Sequence, residues 1–209
     1  MGGAPKPGAR RATTLNPVTD HSSTEPTSRY DPVDPADLEA VEQQLGRPPR
    51  GVLAISYRCP DGRPGAVKTA PRLEDGTPFP TLYYLTDPRL TAEASRQESA
   101  GLMRGMSERL LTDEALAANY RSAHKRYLAE RNAIEDLGTD FSGGGMPERV
   151  KCLHVLMAYA LSEGPGVCVL GDESVALAAD AGLRGSAVPA DWPTSEELGC
   201  AGTADEGQR

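Results

Sequence analysis

Between the glycine run Gly143–Gly145 and the stop signals Gly164-Pro165-Gly166 lies the one segment of this chain that is apolar nearly all round, Val150 to Leu161. A helix with that pattern is buried on every side, so the remaining elements must be arranged to cover it. The expected helix spans 148–163, and its N-terminal end carries Arg149, Lys151, Cys152 and His154. Charged and reactive residues on a core helix need a reason. Cys152 and His154 are two positions apart, which on a regular helix sends their side chains about 200° apart. Either the helix begins after Cys152 and the pair sits on extended or first-turn backbone, or only one of the two can serve a shared site.

The elements that cover this helix can be read from local signals. Asp34-Pro35 is a cap followed by proline at the first helical position, and Gly46 ends that helix. Residues 51–58, 66–69 and 81–86 are rich in β-branched and aromatic types and are separated by Pro/Gly turns, which predicts three strands. Asp87-Pro88 then opens a helical half running to residue 183, with its best helix from Thr112 to about Ile134. The expected fold is α+β: a small antiparallel sheet of about three strands in residues 51–86, packed on a helical bundle over residues 88–183.

Composition sets the boundaries of that domain. Residues 1–33 contain five prolines, many Ser and Thr, and no apolar period, and 185–209 carry five acids against one Arg. Such segments bury too little surface to offset their ordering entropy. The expectation is a disordered tail at 1–33, a single domain at 34–184, and a disordered acidic tail at 185–209. A formal charge of −8 speaks against duplex nucleic acid as a partner, since that binding mode needs a basic face. No run of 18 apolar residues and no apolar stretch after the first basic residues is present, so neither a membrane span nor a secretory signal is expected. A cytoplasmic location follows, with the four cysteines reduced.

Three chemistries compete for the reactive residues. Cys59, Cys152 and His154 are metal-ligand types, although no close C-x2-C pair announces zinc. Cys152 beside Arg149 and Lys151 could be a nucleophile with His124 or His154 as its base. Arg58 and Lys68, in a basic cluster around the hairpin, together with Arg149 and Lys151 after the glycine run, suggest a pocket for a small anion. His124 and Arg131 lie close together beside the stripe Leu116, Tyr120, Ala123, Tyr127, whose aromatic members read as core.

Several runs in order, Gln44-Leu-Gly-Arg-Pro-Pro-Arg-Gly51, Arg58-Cys-Pro60, Thr77-Pro-Phe-Pro-Thr-Leu-Tyr-Tyr-Leu-Thr86, Ala123-His-x-x-Tyr127 and Val150-Lys-Cys-Leu-His154, resemble the domain of unknown function 501 family, common in actinobacteria. The resemblance covers roughly residues 34 to 175 and implies no established reaction. Relatives often carry cysteines where this chain has Asp61 and Asp87, so the resemblance implies a metal set of Cys59, Asp87, Cys152 and His154, with zinc as the metal. The family's gene neighbourhood implies an alternative, a non-catalytic adaptor for a division-associated coiled-coil protein. The leading expectation is a metal or small-anion site where the Cys59 loop meets the start of the 148–163 helix.

Overall fold

The computed structural model describes residues 1–3 and 29–200. Its first helix, α1 (Pro35–Leu45), starts where the Asp34 carboxylate accepts from the Asp37 N–H at 2.7 Å and stops where Gly46 turns left-handed at φ 67°. Strands β1 (Val52–Arg58), β2 (Pro64–Thr69) and β3 (Tyr83–Leu85) form one antiparallel sheet in the order β1-β2-β3. Val67 pairs with both Ile55 and Tyr84, which fixes the two faces of the sheet.

One face meets the helices. Ala54, Ala66, Tyr83 and Leu85 belong to the main core together with Leu153, Leu156, Met157 and Tyr159 of the central helix. Tyr83 stacks on Tyr159 with ring centroids 5.4 Å apart and meets Tyr127 edge-on at 5.7 Å. The opposite face is smaller: Ile55 and Val67 pack under Val41 of α1. Alternating positions along each strand serve the two layers, as a period of two requires.

The helical half comprises α2 (Pro88–Ser99), α3 (Leu102–Thr112), α4 (Glu114–Ile134), α5 (Leu153–Glu163) and α6 (Val169–Ala178), followed by a π-helical turn at Ala179–Leu183. Asp87 and Asp113 cap α2 and α4 with side-chain oxygens, and Gly101 at φ 84° divides α2 from α3. Gly105 lies inside α3. Where α5 and α6 cross, a Cβ at Gly171 would strike the Leu156 carbonyl, so only glycine permits that close approach.

Two boundaries differ from expectation. The central helix begins at Leu153, not at residue 148, because Lys151 N–H turns back to the Gly144 carbonyl at 2.7 Å and Cys152 is extended at φ −154°. The packed chain also continues past the boundaries drawn from composition. Tyr30 is buried and Asp31 bridges to Ile55, while Ala187, Val188 and Trp192 are buried beside α6. Tyr57 donates to the Ala187 carbonyl at 2.8 Å and Trp192 donates to the Asp172 carbonyl at 3.3 Å. A few isolated apolar anchors in a polar stretch have no period to read. The remainder of both expected tails, residues 4–28 and 201–209, lies outside the described residues.

Candidate metal centre

The crossing of α2 and the start of α5 brings together the reactive residues of the central helix. On α2, Thr91, Ser95 and Glu98 are spaced by four and three, which places them on one face. That face meets the first turn of α5. Glu98 Oε1 accepts the Leu153 N–H at 2.7 Å, satisfying one of the amides that a helix start leaves free. The same oxygen stands 3.0 Å from His154 Nδ1. Because Cys152 is extended and His154 lies in the first helical turn, their side chains are not thrown to opposite sides, and Cys152 Sγ reaches within 3.9 Å of the same Nδ1. One sulfur, one nitrogen and one carboxylate oxygen thus lie within 4.8 Å of one another.

The second nitrogen of His154 is also held. Its Nε2 lies 3.2 Å from Ser95 Oγ, whose own proton goes to the Thr91 carbonyl at 2.9 Å. With its hydroxyl hydrogen assigned to Thr91, Ser95 is free to accept an Nε2–H. Nδ1 faces a carboxylate oxygen and a sulfur, a place where a cation, either a proton or a metal ion, is shared between them. In the metal-free protein that cation is a proton: the Cys152 contact and then the Glu98 carboxylate raise the His154 pKa to about 9 against the opposing effect of burial. The site is half open, with the His154 and Glu98 side chains 28% and 24% exposed. Cys152 and His154 line a cleft of about 610 Å³ that runs past β3 toward the end of α1.

The four residues expected to form a metal set separate into two pairs. Cys59 and Asp87 are together, Sγ to Oδ2 at 3.7 Å, but they form a different site from the Glu98, Cys152, His154 group. Asp87 is already engaged. Its Oδ1 caps α2 through the Arg89 and Leu90 amides, and the Arg89 guanidinium closes on both oxygens at 3.0 and 2.7 Å. Burial opposes its charge, yet Arg89 and the amides hold it below the usual carboxylate range. Burial pushes the Cys59 thiol up to about 12.

The expected anion set disperses. Arg58 forks onto Asp37 at 2.9 and 3.0 Å, and Lys68 pairs with Glu130 at 2.9 Å, so acids from other elements already satisfy both. Arg149 and Lys151 are exposed in the turn before α5, and the glycines 143–145 precede that turn instead of a helix N-terminus. His124 and Arg131 have a structural place. His124 Nδ1 meets Ser142 Oγ at 2.9 Å, with burial lowering its pKa, and fully buried Arg131 donates to the Thr139 carbonyl at 2.6 Å and to the Phe141 carbonyl. Both fasten the loop after α4. Glu98 escaped the sequence reading, since nothing marks it out among its polar neighbours and its partner His154 is 56 positions away.

A family model described as "Protein of unknown function (DUF501)" matches residues 55–176, more than half of the chain. The comparison with curated proteins returned no match, and the comparison with solved structures likewise returned none.

Proposed function

Because the chain belongs to the DUF501 family, from which no reaction can be inherited, we propose a function from the site itself: the protein binds a zinc-type ion through Glu98, Cys152 and His154. The observation that carries this reading is the convergence of Sγ, Nδ1 and Oε1 within 4.8 Å. Zinc accepts all three donor types, and three protein ligands with one position left for water or substrate is the pattern of reactive zinc sites. Ser95 supports it by lying where it can accept the remote N–H, as partners behind metal-bound imidazoles do. A nucleophilic Cys152 fits less well. Its thiol and Glu98 compete for the same nitrogen, so His154 cannot take a proton from sulfur on one side while a carboxylate orients it from the other.

A reactive thiol ligand needs a reducing compartment, and the four cysteines are unpaired. No helix is long and apolar enough to cross a membrane among the described residues. Both fit a cytoplasmic protein. The test is metal content by mass spectrometry after zinc loading and gel filtration of the full chain. We expect about one zinc per chain, lost in Cys152→Ser and His154→Ala. A zinc-free wild-type chain under those conditions would rule the reading out.

A further inference from the structure

Resting on the metal reading, we infer that the cleft beside the site takes a molecule with an uncharged, apolar body and a single metal-binding head group, not a phosphorylated ligand. The argument comes from the cleft walls. At about 610 Å³ the cleft is in the size range of small-molecule sites. Thirteen residues line it, and none is Lys, Arg, Asp or Glu. Leu45, Leu85, Pro88, Ala92 and Val155 supply its apolar surface, while Thr81, Thr86 and Thr91 offer only neutral hydroxyls.

Charge at the metal end gives the same answer. A divalent ion held by the Glu98 carboxylate, a Cys152 thiolate and a neutral imidazole has no net charge, because ligating thiols are deprotonated. It can coordinate one head group but offers nothing further to a polyanion. Among the basic residues around this part of the sheet, Lys68 is paired with Glu130, Arg50 with Asp75, and Arg89 with Asp61 and Asp87, while Arg47 reaches the Tyr84 hydroxyl from the wall of another cavity of about 200 Å³ on the outer face. A tail lying along Leu85 and Val155 would be stabilised by burial alone, so affinity should follow its length.

The test uses the full chain loaded with cobalt(II), whose visible spectrum reports ligand binding directly. Straight-chain alkyl hydroxamates from two to six carbons are titrated, with a six-carbon hydroxamate ending in a carboxylate as the charged control. The expected result is a gain of about fourfold in affinity per methylene, the free energy of burying one CH2, and at least about tenfold weaker binding of the charged control. Ala92→Phe, at an exposed position in the cleft wall, is expected to flatten the series without altering the cobalt spectrum of the ligand-free protein. Hydroxamate affinity independent of chain length, equal binding of the charged control, or a series unchanged in Ala92→Phe overturns the inference while leaving the metal site intact. Failure to bind cobalt at all overturns the metal reading, and this inference with it.

Discussion

Cys59 and Cys152 each lie beside a carboxylate, and only one of the two places has the makings of a site. At Cys59 the neighbouring Asp87 is wholly buried, bonded to two helix amides and closed by the Arg89 guanidinium. At Cys152 the neighbouring Glu98 has one amide and one imidazole, and its environment opens into a cleft. The residue types are alike. What differs is whether the negative charge has already been matched by an arginine. Two other acids with buried side chains are likewise matched by arginine, Glu163 by Arg126 at 2.7 Å and Glu173 by Arg109 at 2.7 and 2.8 Å, and neither gathers further ligand atoms; Asp172, buried with no arginine, is instead pushed up to about 6 by burial.

The comparison predicts opposite consequences of removing each acid. Asp87→Ala removes a cap and one of the two acids that hold Arg89, which keeps Asp61 at 2.9 Å, so it should cost about 2 kcal/mol of stability in urea unfolding. Zinc content should be unchanged. Loss of zinc in a folded Asp87→Ala protein would mean that the two regions are one site after all. Glu98→Gln should do the reverse, weakening zinc by at least about tenfold while costing only about 1 kcal/mol, because the amide oxygen can still accept from Leu153. Competition with a chromophoric chelator measures the first quantity and urea unfolding the second.

A smaller effect separates the two thiol environments by pH. With its folded-state value raised from 6.5 to about 9, protonated His154 stabilises the metal-free protein fully below pH 6.5, and that contribution fades as pH rises toward 9. Zinc competes with the same proton, so its affinity should rise across the same window. His154→Asn should remove both dependences. Unfolding midpoints and zinc titrations at several pH values check this, and a flat wild-type profile between pH 6.5 and 9 would contradict the raised His154 pKa. Cys59, pushed up to about 12, should resist alkylation throughout that range. Zinc should protect Cys152 alone, as mass mapping of iodoacetamide adducts would reveal.

Much of this architecture was legible because its signals are local. Asp34-Pro35 and Asp87-Pro88 cap helices through oxygens that reach only two or three residues ahead. The conflict between Cys152 and His154 on a regular helix was equally visible, and it is resolved by a helix that starts at Leu153. Long-range pairing was not legible. Nothing near Arg58 or Lys68 in sequence announces Asp37 or Glu130, so residues that read as a basic cluster prove to be neutralised. Glu98 was hidden for the same reason, since it becomes a partner of His154 only through the packing of α2 on α5. Trp192 and Val188 were hidden by their polar surroundings, where single apolar anchors leave no period.

The central claim is that Cys152, and not Cys59, belongs to a metal centre with Glu98 and His154. X-ray absorption of the zinc-loaded full chain tests it directly. The account predicts one sulfur at about 2.3 Å and nitrogen or oxygen neighbours at about 2.0–2.2 Å. Two sulfurs would bring a second cysteine into the site, none would remove Cys152 from it, and either result would contradict the account.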